Sequence, residues 1–200
     1  MTGIIILAAG ASTRLGQPKQ QLQYNGKSLL QHAIEVAVAT AAQPVIVVLG
    51  AGYNNINNGL QKAGVTVVQH TGWQQGMASS MQAGLREALL QQPTLNNIVI
   101  TLCDQPFVTS QLLTQLVQLQ HTSGKPIVAS AYNNTVGPPV IFTNYYFTEL
   151  LALKGEEGAK KIIVQHMHDV ATLPFEAGKF DIDTQADYAA LQQGLLQTNV

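Results

Sequence analysis

The stretch Gly10-Ala11-Ser12-Thr13-Arg14-Leu15-Gly16-Gln17-Pro18-Lys19 gathers two glycines, several small residues and two cations into ten positions. Glycine permits backbone shapes that a Cβ would block, and small neighbours let amide N–H groups approach phosphate oxygens closely. Arg14 adds a forked donor matched to phosphate geometry, and Lys19 a point charge. The chemistry this suits is the binding of a triphosphate. Two distant segments supply carboxylates: Asp104 follows an apolar run, and Asp181 and Asp183 lie near the end of the chain. Mg²⁺ commonly sits between phosphate oxygens and one or two carboxylates. Asp104 and Asp183, with Asp181 as a further candidate, are therefore the expected metal set. Either aspartate alone reads better as a strand-end or N-cap residue; the conjunction with a phosphate loop reverses that preference.

Better-known phosphate loops do not match. Gly16 is not followed by Lys-Ser or Lys-Thr, no Gly-x-Gly-x-x-Gly follows the first apolar run, and Gly50-Ala51-Gly52 is a fragment only. Ser12 lacks the second glycine of a nucleophile elbow. Cys103, within an apolar run, reads as an inert buried thiol. His166 and His168 have a spacing that points both to one face of a strand, but no neighbouring Cys or third His completes a zinc set, so core or surface histidines are expected. Trp73 could stack on a base, although packing over an adjacent helix is the commoner use of such a ring.

Short β-rich apolar runs alternate with stretches of helical period, the mark of βαβ units on a mainly parallel sheet, so the expected class is α/β. Strands are expected at Gly3 to Ala9, Val45 to Leu49, Val65 to Gln69, Asn97 to Cys103, Ile127 to Ala131, Val140 to Phe142 and Val170 to Leu173. Gly137-Pro138-Pro139 predicts a turn between two of them. Helices are expected from near Ser28, over Asn57 to Ala63, Ser79 to Leu90, after a Thr109 or Ser110 N-cap, from Gly158 to about His166, and from Ala186 to Leu196. The phosphate loop thus leaves the carboxyl end of the first strand, where open α/β sheets bind ligands.

The pattern Leu-Ala-Ala-Gly-x-Ser-x-Arg-x-Gly-x-x-Lys, starting at Leu7, resembles the opening motif of the MobA-like nucleotidyltransferases, most closely the molybdenum cofactor cytidylyltransferase branch. Leu102-Cys103-Asp104-Gln105-Pro106 resembles that family's metal-binding strand end, and Asp181-Ile182-Asp183-Thr184-Gln185-Ala186-Asp187 its closing segment. Gly76 through Leu85 is similar to the part that meets base and ribose, where Ser79 and Ser80 serve equally well as helix-start residues. Gly155-Glu156-Glu157-Gly158-Ala159-Lys160 resembles the acceptor-facing segment, with Glu156 and Lys160 in place of the usual residues. The resemblance implies a three-layer, Rossmann-like fold of the nucleotide-diphospho-sugar transferase type. It implies nucleotide binding by Leu7, Ala8, Ala9, Gly10, Gly16, Gly76, Ser79 and Ser80, and catalysis by Arg14, Lys19 and Asp104. The donor would be CTP and the acceptor the molybdenum-molybdopterin cofactor, with a recipient molybdoenzyme or its chaperone downstream. CTP rather than GTP follows from Ala9, since the guanylyl branch carries Gly-Gly where this chain has Ala9-Gly10. The rivals are a sugar-1-phosphate or methylerythritol-phosphate nucleotidyltransferase, and a non-catalytic carrier that hands nucleotide or cofactor to a partner.

With 200 residues, 46% of them hydrophobic and 10% charged, the chain has the makings of one packed domain over residues 1–200. A net charge of −1 with no dense basic run argues against DNA or RNA. Its apolar runs fall far short of the roughly 20 residues that cross a bilayer, so no membrane partner is expected. The opening lacks a signal peptide's basic start and cleavage site, and the lone Cys103 forms no internal disulfide. A cytoplasmic protein is the expectation.

Overall fold

The structure, a computed structural model, describes residues 1–56, 60 and 64–196. In chain order the strands are β1 (Thr2–Ala8), β2 (Gln23–Tyr24), β3 (Lys27–Ser28), β4 (Val45–Leu49), β5 (Thr66–Gln69), β6 (Asn97–Leu102), β7 (Ile127–Tyr132), β8 (Thr135–Thr143) and β9 (Val170–Pro174). The helices are α1 (Leu29–Val38), α2 (Tyr53–Ile56), α3 (Met77–Gln91), α4 (Ser110–Ser123), α5 (Phe147–Ala152), α6 (Ala159–Gln165) and α7 (Gln185–Gln192). The helix expected over Asn57 to Ala63 lies, apart from residue 60, outside the described residues.

Apolar runs without alternation need cover on both faces of a sheet, and the fold supplies it. Seven strands form one sheet in the order β5-β4-β1-β6-β8-β7-β9. β8 runs antiparallel to both neighbours, and the other pairings are parallel. Within β1, Ile5 and Leu7 face a core shared with Met81 and Leu85 of α3 and Ile162 of α6. Ile4, Ile6 and Ala8 face the opposite core, with Leu30 and Ile34 of α1 and Leu112 and Leu116 of α4. The expected α/β class, with a mainly parallel sheet between two helical layers, is the observed one. Helix α3 lies close on the sheet because Gly84 has no side chain: a Cβ there would stand 2.7 Å from Ile5 and 2.9 Å from Val48.

Local chemistry starts the helices where side-chain caps are available. Ser28 and Thr109 accept from the amides of Gln31 and Leu112, and Thr184 forms a capping box with Asp187. One expectation fails. Gly137-Pro138-Pro139 makes no turn but lies inside β8, at a register shift where Ser130 pairs with Gly137. The turn is carried by Asn133 and Asn134, both at positive φ, as a two-residue hairpin loop requires. Pro138 and Pro139 lack N–H donors, and the carbonyl of Pro139 is instead bonded by the buried Ser130 hydroxyl at 2.7 Å.

A third, smaller apolar cluster positions the site. Leu15 from the Gly-rich loop, Leu22, Leu29, and Ile182 and Leu191 from the C-terminal segment are buried together.

Candidate active site

The parallel strands β1 and β6 are neighbours in register up to Leu7 opposite Leu102, so the segments leaving them emerge side by side. One carries Gly10 to Lys19 and the other Cys103 and Asp104. The C-terminal segment joins them, since the Ile182 amide donates to the Asp104 carbonyl at 3.0 Å and the Gln185 side chain donates to the Leu15 carbonyl at 2.6 Å. Ile182 is fully buried, which fixes Asp181 and Asp183 on either side of it. Asp183 is steadied further by its own amide donating to Asp187 at 3.2 Å.

At the junction Lys19 Nζ lies between two carboxylates, 2.5 Å from Asp104 Oδ2 and 2.8 Å from Asp183 Oδ1. Arg14 Nη2 reaches the other oxygen of Asp183 at 2.8 Å, from a side chain that is 69% exposed. Burial alone would lower the Lys19 pKa, but the Asp104 charge and the hydrogen bonds to Asp104 and Asp183 outweigh it and hold the ammonium well above its ordinary value. Burial would raise the Asp183 carboxyl, and here Lys19 and Arg14 win and hold it below the usual range. On Asp181 the pull of Lys19 is only the smallest of the influences. Desolvation and the nearby Asp104 charge push its carboxyl up to about 6. Asp104 Oδ1 is buried without a hydrogen-bond partner.

These groups sit at a cavity of about 440 Å³, a size that suits a small-molecule ligand. Of the residues expected to bind nucleotide, Leu7, Ala8, Ala9, Gly10, Gly76 and Ser80 line it, together with Lys19 and Asp104. Gly16 lies outside the lining and serves the loop through its positive φ of 69°. Ser79 also points elsewhere: its hydroxyl donates to the Gly76 carbonyl at 2.7 Å and lies 2.8 Å from His70 Nε2. Arg14, Asp181 and Asp183 stand beside the cavity, not in its lining. Gly76, at φ 99°, lets α3 begin against the acceptor-like segment, where a Cβ would fall 2.3 Å from the Gly155 carbonyl.

Residues that sequence reasoning did not select also shape the site. Gln20 is 1% exposed and donates to the carbonyls of Ala8 at 2.8 Å and Gly10 at 3.0 Å, so it clamps the loop from beneath. Nothing in a Gln-rich sequence singled it out. Ser12, at φ 55°, accepts from the Lys19 amide at 3.0 Å and closes the loop on itself. Of residues the sequence did raise, Trp73, weighed between stacking on a base and packing, lines the cavity and also packs on the core, and Glu156 reaches the lining from the Gly155 segment. The Cys103 thiol is buried, and burial followed by the Asp104 charge pushes its pKa up, which fits an inert thiol.

The arrangement is thus a glycine loop, a lysine and converging carboxylates at the carboxyl edge of a parallel sheet. The profile of the MobA-like NTP transferase domain matches residues 4–170. The chain belongs to the MobA-like NTP transferase family. It is 27% identical over 205 residues to the purine catabolism protein PucB of Bacillus subtilis, with 96% of each chain covered. It is also 33% identical over 142 residues to nicotine blue oxidoreductase of Paenarthrobacter nicotinovorans, a stretch covering 70% of this chain and 66% of that protein. The crystal structure of Rv0371c from Mycobacterium tuberculosis superposes with a TM-score of 0.82 at 29% identity, covering 96% of this chain and 97% of the other. The same mycobacterial protein has been solved as a manganese complex, matched at TM-score 0.76 and 28% identity, covering 96% and 97% of the two chains. Membership makes this chain a nucleotidyltransferase-family protein with the nucleotide-diphospho-sugar transferase fold. Among the described residues, no helix is long and apolar enough to cross a membrane.

Proposed function

We propose that the protein transfers a cytidylyl group from CTP to the molybdenum-molybdopterin cofactor, releasing pyrophosphate. The observation that carries the transferase reading is the half-buried Lys19, in the lining of the Gly10 cavity, bridging Asp104 and Asp183. An oxygen of the acceptor phosphate attacks the α-phosphorus in line; a new P–O bond forms as the bond to the bridging oxygen breaks, and the electron pair leaves with pyrophosphate. Such an oxygen is already deprotonated, so the reaction needs no general base. Lys19 and Arg14 exchange their carboxylate partners for phosphate oxygens and stabilise the charge that grows on the leaving group. Amides of the Gly10 loop, held by Gln20, orient the phosphates, while Ser80 and Gly76 shape the wall for base and ribose.

The residues fit a divalent cation. Asp104 keeps a buried oxygen free, and Asp181 holds its charge poorly without a further positive partner. Asp104 and Asp183, with Asp181 beside them, would hold Mg²⁺, which neutralises phosphate charge when bound. The manganese complex of the mycobacterial relative supports a divalent metal in this family. The cytidylyl and molybdopterin assignments rest on the opening and closing motifs and on Ala9. The product would pass to a molybdoenzyme or its chaperone in the cytoplasm, and the chain acts as one domain. The name of one relative, nicotine blue oxidoreductase, points to redox chemistry; the lack of a Gly-x-Gly-x-x-Gly after β1 favours transfer here.

The test is pyrophosphate release with Mg²⁺ and each of four nucleoside triphosphates, with and without molybdenum cofactor, beside sugar-1-phosphates and methylerythritol phosphate. Release that needs CTP and the molybdenum cofactor supports the reading. Release with another acceptor replaces the substrate, and binding without release in every arm leaves the carrier rival.

A further inference from the structure

His166 and His168 do not share a strand. The first caps the end of α6, and the second sits in the short 3-10 turn Met167–Asp169 that leads into β9. The turn brings Asp169 Oδ2 to 3.5 Å from His168 Nε2, and one potential ligand atom from each of His166, His168 and Asp169 lies within 4.8 Å of the other two. Two further groups surround this set in the manner of an outer shell. Glu149 of α5 bonds the His166 ring, Oε1 to Nε2 at 3.0 Å, and the hydroxyl of the buried Tyr146 donates to Asp169 Oδ2 at 2.6 Å. Carboxylates that orient ligating histidines, and hydrogen bonds that orient ligating carboxylates, are the usual supports of a metal site.

We infer that His166, His168 and Asp169 form a second cation site, selective for a borderline divalent transition metal of which Zn²⁺ is the representative. Two imidazoles and one carboxylate suit Zn²⁺, Ni²⁺ or Cu²⁺ and are a poor match for Mg²⁺, which prefers oxygen donors. Tetrahedral bonds of roughly 2.0–2.1 Å set ligand atoms about 3.4 Å apart, so the set must contract. His168, whose side chain is 75% exposed, has the room to turn inward. The fourth position is left for water.

The site lies away from the nucleotide cavity. β9 runs parallel to β7, and β8 lies antiparallel to both β7 and β6, so the start of β9 is at the amino edge of β6 and β1. The Gly10 loop leaves the opposite edge. A bound ion would tie α5, through Glu149, and the end of α6 to the turn that leads into the edge strand, which stabilises the sheet margin without entering the reaction.

The experiment is equilibrium dialysis of the full chain against Zn²⁺ in excess Mg²⁺, run in parallel on Asp104→Asn so that the carboxylates near Lys19 do not contribute. The expected result is one Zn²⁺ per chain in both proteins, a melting temperature raised by Zn²⁺, and an intense visible band when Co²⁺ replaces it. His168→Ala, at an exposed position, should keep its fold and its Mg²⁺-supported turnover while losing at least tenfold in Zn²⁺ affinity along with the Co²⁺ band; His166→Gln should do the same to binding. Failure of the wild-type chain to retain Zn²⁺, or retention that His168→Ala and His166→Gln leave unchanged, would overturn the site.

Discussion

The amide of Ile182 donates to the carbonyl of Asp104 at 3.0 Å. That single backbone bond sews the end of the chain to the end of β6, and because Ile182 is buried with Leu15, it also fixes Asp183 against Arg14 and Lys19. The three segments carrying the charged groups are therefore one mechanical unit, and changes in one are felt in the others.

Lys19→Ala should impair both turnover and stability. It removes a cation from the developing charge of the leaving group, an effect of roughly 10²–10³ in rate, and leaves the mostly buried Asp104 uncompensated, for which about 3–5 kcal/mol is typical. Arg14→Ala should separate the two effects. Its guanidinium is largely exposed, so stability should move by less than about 1 kcal/mol while turnover falls. Urea denaturation beside steady-state rates at saturating substrate checks both, and equal loss of stability in the two variants would contradict the burial argument.

With Asp104 and Asp183 holding one Mg²⁺ as proposed, Asp104→Asn and Asp183→Asn should each raise the Mg²⁺ concentration needed for half-maximal turnover, and the double variant should lose less than the product of the singles, since both carboxylates contact the same lysine. A Mg²⁺ titration of all four proteins measures this. Strict multiplicativity with an unchanged titration would mean that the two aspartates do not share a metal.

Gly76→Ala should unfold more easily than the parent. Its φ of 99° disfavours any side chain, and the new methyl would meet the Gly155 carbonyl. A cost of at least about 1–3 kcal/mol is expected from the strained backbone, visible as a lower melting temperature, with weaker nucleotide binding because α3 and the Glu156 segment separate. A control at Gly124, whose φ is also positive but where a Cβ meets nothing, should cost less.

Acid should destabilise the fold through His70 and His32. Burial lowers the pKa of His70, and burial lowers that of His32 despite bonds to the Val108 and Pro106 carbonyls. Both folded values lie below the unfolded value of about 6.5. The unfolded chain therefore takes up protons first, so the stabilisation is complete above that pH and is lost as pH falls through the folded pKa. Asp181, whose carboxyl is pushed up to about 6, acts in the opposite sense as pH falls through that value, so the histidine contribution is read as a difference: between pH 7.5 and pH 5 the denaturation midpoint of His70→Gln should fall less, or rise more, than that of the parent.

The sequence reveals most of the sheet because β1, β4 and β6 are covered on both faces and read as unbroken apolar runs. It misplaces the hairpin because Gly137-Pro138-Pro139 has local turn chemistry, whereas β8 absorbs that tripeptide at a register shift and the Asn133-Asn134 pair turns instead. Helix α5 escapes notice, being only six residues long. In the site, the spacing from Gly10 to Lys19 is a local signal and is legible. The Lys19 to Asp183 contact spans 164 positions and depends on the burial of Ile182, which no local pattern encodes. Ser79 and Ser80 are indistinguishable by type; only the helix phase turns Ser80 to the cavity and Ser79 to His70.

Ala9→Gly should relax the choice between CTP and GTP. Ala9 is 6% exposed and lines the cavity, and on the proposed reading its methyl would narrow the space for a purine. The backbone there has little freedom to retreat: the Ala9 carbonyl accepts from the Ala51 amide at 3.2 Å, and a Cβ on Gly50 would stand 2.6 Å from both that carbonyl and the Trp73 Cβ. A methyl-sized change in such a pocket is worth about 1–3 kcal/mol, or roughly 10–200-fold in relative kcat/KM. Removing it should therefore narrow the preference for CTP by a factor in that range, with the CTP rate itself changed much less. Competition between the two triphosphates, with Mg²⁺ and the acceptor present, measures the ratio in parent and variant. If the parent prefers GTP, the cytidylyl assignment falls while the Lys19 and Asp104 chemistry stands; if it prefers CTP and the glycine variant discriminates as strongly, the selectivity comes from another part of the wall, with Ser80 the next residue to change.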